Sequence, residues 1–210
     1  MCSGRLTRVP VVLCVGLLGA LLMSCAGRPD RVSADVRSAE NRELAQESAR
    51  QPQAPHRIPV PFFPDDKDQC GPVTLASVLT FWGVPTDPQD LRKEVYTPRL
   101  GGALPMDLLL AAQARGLDAA IYSGGLDDLK SELAAGHPLV AFLNLGSALF
   151  PQGHYVVVTG YDDRRQGVYV HSGPLRDDFV PYERFLRSWE KTGRLTLLVL
   201  PDESRRRAAS

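Results

Sequence analysis

An α+β domain, with helices first and a mostly antiparallel sheet second, is what this chain of 210 residues predicts. Three observations carry the prediction. From residue 70 to residue 135, apolar residues recur at helical spacing between Pro and Gly breaks. From residue 138 onward they fall in short apolar runs of strand type. The strongest of these runs, Tyr155–Tyr161 and Val168–His171, flank a polar turn over Asp162–Gly167 and read as a hairpin. No internal repeat is present.

Taken in order, residues 1–24 stand apart from the fold. Arg5 and Arg8 give a positive start, and Val9–Met23 is an apolar run of about fifteen residues, the length of a signal-peptide core rather than of a membrane span. The run ends Leu22-Met23-Ser24-Cys25, which resembles a bacterial lipoprotein signal with Cys25 as the lipidated residue. Residues 25–57 are polar and charged and read as a tether; about thirty flexible residues reach near 30 Å. The peptidyl stretch from Ile58 to Pro64 carries three prolines, so it is extended and packs along the domain surface.

The folded domain is expected over residues 58–201. Leu75, Val78, Leu79 and Trp82 place one face of a helix inward, and that helix begins near Gly71 and stops near Gly83. Asp87 or Thr86 caps a short helix opening at Pro88. Residues 96–103 form a loop. Leu104–Ala114 is a helix closed by Gly116, with Met106, Leu109 and Leu110 inward. A strand at Leu117–Tyr122, a helix at Gly125–Ala135, a strand at Pro138–Leu145, the hairpin, a short strand at Phe179–Val180, a helix at Pro181–Glu190 and a strand at Leu195–Leu200 complete it. Residues 202–210 are a charged tail with no core to join.

Net charge is zero with both signs interspersed, so no basic stripe marks a nucleic-acid surface. No zinc-type spacing, phosphate loop or paired-carboxylate constellation appears, and no cofactor or metal is implied. Of the four cysteines, Cys2 and Cys14 leave with the signal and Cys25 is taken by lipid, which makes Cys70 the one free thiol of the mature chain. Cys70 sits at a helix start, where the partial positive charge favours a thiolate and lowers the thiol pKa. Its alternative role is that of a small buried hydrophobe.

A cysteine nucleophile needs a base and a group to orient that base. Among the four histidines, His56 lies in the tether, His137 precedes a proline in a loop, and His171 ends the hairpin's return strand. His154 opens a rigid apolar strand after a Gly-containing loop and is the best base. Asp162 lies eight residues along that strand, about 26 Å away, and is a turn residue.

Gln69-Cys70-Gly71-Pro72 opening an apolar helix, followed by His154-Tyr155-Val156-Val157-Val158-Thr159-Gly160-Tyr161-Asp162, resembles the bacteriocin-processing cysteine peptidases. These papain-like proteins remove double-glycine leaders and include stand-alone envelope relatives. The resemblance implies a papain-like α+β fold, with the nucleophile at a helix N-terminus packed on a mostly antiparallel sheet. It also implies Cys70 as nucleophile and His154 as general base. The family's orienting Asp aligns with Ser172; an even hairpin register puts Ser172 on the face of His154, and an odd one puts His171 there. The family's oxyanion glutamine aligns with Pro64 or Asp65, neither of which has a side-chain amide, so Gln69 is the candidate donor beside the Cys70 backbone N–H.

The function expected is an envelope-anchored cysteine peptidase working through a Cys70 thioester on a peptide or protein substrate. It would be lipid-anchored, facing the periplasm from the outer membrane if the cell has one, because Ala26 rather than Asp follows Cys25. The alternatives are an amidase or cell-wall peptide hydrolase on the same pair, and an inactive binding or assembly module. Nothing in the sequence indicates an oligomeric state.

Overall fold

The computed structural model describes residue 42 and residues 54–65, 69–147 and 149–202. Expectations for the signal, for Cys25, for most of the tether and for the tail lie outside the described residues.

Five α-helices and nine strands appear among the described residues. In chain order they are β1 (His56–Arg57), α1 (Cys70–Phe81), α2 (Pro88–Val95), β2 (Tyr96–Thr97), β3 (Gly102–Ala103), α3 (Pro105–Ala114), β4 (Leu117–Ser123), α4 (Leu126–Ala134), β5 (Leu139–Asn144), β6 (Gly153–Asp162), β7 (Gly167–Ser172), β8 (Leu175–Pro181), α5 (Tyr182–Glu190) and β9 (Leu195–Pro201). The expected α+β order is therefore present. Seven strands form one sheet in the order β4-β9-β5-β6-β7-β8, with β1 also pairing β6, and every pair in it is antiparallel.

The most buried helix is α1. Every residue from Gly71 to Leu79 is buried, and Leu75, Val78 and Leu79 are wholly inaccessible. It is thus a central helix buried all round rather than the one-faced helix the sequence suggested. It packs on β6, α2 and α3. Each of its large apolar side chains contributes about 1.5–3 kcal/mol on burial. Its start approaches β3 so closely that a Cβ on Gly71 would lie 2.9 Å from the Ala103 Cβ. At the far end, Trp82 is only partly buried and donates from Nε1 to the Val199 carbonyl at 2.7 Å.

Local chemistry explains the next elements. The Asp87 side chain accepts from the Gln89 N–H at 2.7 Å and caps α2, with Pro88 at the first helical position. Residues 96–103, expected as a plain loop, form the small hairpin β2–β3 around a 3₁₀ turn at Pro98–Leu100. The turn over Asp162–Gly167 is held by Asp162 Oδ1, which accepts from the N–H groups of Arg164 and Arg165 at 2.9 and 3.0 Å.

Three further expectations are corrected. On α3, Leu108, Ala111 and Ala112 are buried, whereas Met106 and Leu110 are 55% and 54% exposed. Apolar side chains lie on nearly all sides of this helix, so spacing alone did not identify the inner face. His56 and Arg57 are not tether: they pair with Tyr161 and Gly160, His56 Nε2 contacts the Leu133 carbonyl at 2.6 Å, and its ring stacks on Tyr161. The proline-rich stretch does not merely run over the surface, because Ile58 and Val60 are in the core and the Ile58 N–H donates to the Thr159 carbonyl at 2.7 Å. A run of two paired residues followed by prolines is too short to register as a strand in sequence.

The hairpin carries one irregularity that matters for the site. Near the turn the partners are Asp162 with Gly167, Tyr161 with Val168 and Gly160 with Tyr169. Beyond a register shift at Thr159 they become Val158 with Val170 and Val157 with His171. Thr159 is the extra residue of a β-bulge. Continued to the strand end, the shifted register sets Ser172 on the face of His154. Without the bulge, His171 would be there. The alternative left open by the sequence is closed by this one inserted residue.

Candidate active site

The site is built where the start of α1 meets the start of β6. Cys70 is the first residue of α1, and His154 is the second residue of β6. Both line one cleft of about 550 Å³. The loop through Leu100–Pro105 forms one wall, and Phe142 with Pro151–Tyr155 forms another. Gly153 leaves room beside His154 for the Phe142 ring, which a Cβ there would approach to 2.7 Å. A second hollow of about 500 Å³ lies near Ser123, Asp128 and Arg194, and it is lined by neither thiol nor imidazole.

His154 Nε2 and Ser172 Oγ are 2.9 Å apart. With Nε2 turned to the serine, Nδ1 is the nitrogen left for proton transfer. His171 sits on the opposite face. Its Nε2 meets the Val60 carbonyl at 3.1 Å and its Nδ1 accepts from the Asp177 N–H at 3.1 Å, so it fastens the 58–64 stretch to β7 and β8. Gln69 is turned outward: its Oε1 accepts from Gln89 Nε2 at 3.0 Å on the exposed side of α2, and it does not line the cleft. The expected side-chain oxyanion donor is therefore not delivered. What remains at the thiol are backbone N–H groups at the start of α1.

The protonation states run against the expectation for Cys70. Burial pushes its thiol above the ordinary value, and Asp65 adds to that push. The backbone N–H groups of Tyr155, Gly71 and Cys70 itself work the other way and are outweighed. Burial also pushes the His154 imidazole below its ordinary value, partly countered by the negative charge of Asp65. Desolvation thus favours a neutral thiol beside a neutral imidazole over a preformed ion pair. A helix start does favour a thiolate, but here the loss of water around the sulfur outweighs it.

Two residues were missed in the sequence. Tyr155 supplies the backbone N–H at the sulfur, and its phenol donates to the Ala103 carbonyl at 3.1 Å. Asp65 is buried at the cleft wall; its N–H donates to the Gly173 carbonyl at 3.0 Å and its Oδ1 accepts from the Gln69 N–H at 3.1 Å. An acid four residues ahead of a helix-start residue is the pattern that could have flagged it. Among the described residues, no group of three or more His, Cys, Asp or Glu side chains gathers to hold a metal ion.

Comparison with solved structures gives the fold its context. A double glycine motif protease from an AMS/PCAT transporter, solved with its leader peptide, is 25% identical; the match covers 71% of this chain and 100% of that one, with a TM-score of 0.56. The peptidase domain of Streptococcus ComA, a bifunctional ABC transporter in quorum sensing, is 24% identical over 70% of this chain and 99% of that one, with a TM-score of 0.56. A C39-like peptidase from Bacillus anthracis is 21% identical over 71% and 99% respectively, also with a TM-score of 0.56. No curated protein matches significantly. The expected papain-like α+β fold, helices packed on a mostly antiparallel sheet, is the one these domains share. The sequence profile of the Peptidase_C39 like family matches residues 46–197, most of the chain, and the chain belongs to that family of cysteine-peptidase fold.

Proposed function

We propose that this protein is an active cysteine peptidase, held at the bacterial cell envelope by lipid on Cys25, and that it cuts peptide or protein substrates in the Cys70–His154 cleft. The observation that carries the reading is the meeting of one thiol and one imidazole in one cleft, each at the start of a rigid element, with the imidazole hydrogen-bonded behind. The leader peptide bound in the 25%-identical relative supports a peptide as the ligand class. Leu100 and Leu104, 60% and 46% exposed at the cleft wall, offer apolar contacts for side chains flanking the scissile bond.

In this reading His154 Nδ1 takes the Cys70 proton as the sulfur attacks the substrate carbonyl carbon. Backbone N–H groups at the start of α1 face the oxyanion that forms. His154 returns the proton to the amine nitrogen as the C–N bond breaks, leaving a thioester. Water, activated by the same imidazole, then attacks the thioester; the carboxylic acid leaves and the thiol is restored. Ser172 accepts from Nε2–H and fixes the ring, but as a neutral group it stabilises imidazolium less than a carboxylate does. Because the resting pair is neutral, proton transfer and attack occur together.

Cleavage of a peptide library should be lost in Cys70→Ala and His154→Ala, by about a thousandfold or more. Ser172→Ala, losing one neutral hydrogen bond, should slow cleavage by about two- to tenfold. Cleavage that persists in Cys70→Ala would end the peptidase reading, and a wild-type chain that binds peptides without cutting any would favour the binding module.

The pH profile follows from the two shifts. The base works when neutral, and its pKa is lowered, so the acid limb of kcat/KM should fall below the ordinary imidazole value of 6.5. Alkylation of Cys70 by iodoacetamide should track a thiol pKa above the ordinary 9.0, with no low-pH plateau. A plateau at pH 5–6 that vanishes in His154→Ala would instead reveal a preformed ion pair.

Anchoring is tested by metabolic labelling with a fatty acid. The wild-type chain should take up label and fractionate with outer membranes, and Cys25→Ala should do neither. Equal labelling of the two would remove the anchor from the proposal.

A further inference from the structure

Acyl transfer at Cys70 makes an imidazolium of His154 for part of each cycle, and a buried imidazolium needs a negative charge nearby. Ser172, its hydrogen-bond partner, has none to give. Among the described residues, the charged and titratable groups around the ring are few. Cys70 comes from α1. From β7, His171 lies on the other face and is engaged with Val60 and Asp177. Asp107 of α3 acts on Tyr155. Among the described residues, Asp65, from the stretch ahead of α1, is the carboxylate that acts on the His154 ring, and it acts on Cys70 as well.

Its placement is built rather than incidental. Asp65 is 9% exposed. Its backbone is tied to Gly173, the residue after Ser172, and its carboxylate is tied to the N–H of Gln69, the residue before Cys70. One residue therefore bridges the β7 end that carries the serine and the helix start that carries the thiol, and it lines the cleft that holds Cys70 and His154. The two hydrogen bonds fix where the charge sits.

Resting on the peptidase reading of this same cleft, we propose that Asp65 is the electrostatic positioning residue of the Cys70–His154 pair: from the cleft wall it supplies the negative charge that a protonated His154 requires and that Ser172 lacks. Serine and aspartate then divide between two residues the work of one orienting carboxylate. Ser172 fixes the ring, and Asp65 favours its charge. The same carboxylate opposes a resting thiolate, adding to the burial that keeps the sulfur protonated until a substrate carbonyl arrives. In this arrangement the sulfur is charged only as it bonds to carbon.

The test is Asp65→Asn in the full chain in detergent. Asparagine keeps an oxygen for the Gln69 N–H and removes only the charge. Two titrations are read: His154 by NMR, and Cys70 by the pH profile of iodoacetamide labelling on the peptide that contains it. Removing a negative charge should lower both pKa values, each by about half a unit or more. The acid limb of kcat/KM should move down with the imidazole, kcat should fall with KM little changed, and Asp65→Glu should restore part of both effects. Titrations that stay where they are in the wild type, or an unchanged kcat, would overturn the proposal and leave Asp65 as a helix cap alone. A wild-type chain that cleaves nothing would defeat the proposed function, and the two titrations would then decide the charge coupling by themselves.

Discussion

The burial of the first turns of α1 against β6 is the contact on which the rest of this molecule depends. It holds the Cys70 sulfur beside the Tyr155 backbone N–H, one residue from His154. It requires Gly71, where a side chain would meet Ala103. It also strips water from the sulfur and from the imidazole, which moves the two groups toward neutrality from opposite directions. Packing and chemistry are here one event: the apolar surface that stabilises the helix is what sets the charge state of the pair.

A second constraint acts at longer range. The bulge at Thr159 shifts the β6–β7 register by one residue, and that shift selects Ser172 over His171 as the neighbour of His154. The bulged residue is itself secured: its carbonyl accepts from the Ile58 N–H and its hydroxyl donates to Asp177 Oδ1 at 3.2 Å. The same proline-rich stretch that packs Ile58 and Val60 into the core thus anchors the register and ends at Asp65, on the cleft wall. A segment without regular structure of its own connects both ends of the site.

Much of this was legible in the sequence because it rests on local chemistry. The Asp87 cap, the Asp162 turn, the two strands of the hairpin and the cysteine at a helix start each declare themselves within a few residues. What was not legible depends on partners far along the chain. The inner face of α3 is chosen by the elements it meets, since its own apolar residues point almost everywhere. The pairing of His56 and Arg57 exists only because β6 extends past the end of β5. The rise in the thiol pKa comes from burial that no helix-start pattern encodes, and Asp65 gains its meaning only when residues 65, 70, 154 and 173 come together.

The central claim is that burial has assembled a working thiol–imidazole pair rather than an inert cysteine. Covalent trapping with a peptide acyloxymethyl ketone, read by intact mass and by mapping the modified peptide, tests it most directly. The account predicts one adduct per chain, on Cys70, forming about a hundredfold or more slower in His154→Ala. No adduct at Cys70, or one that forms equally fast without the imidazole, would contradict it.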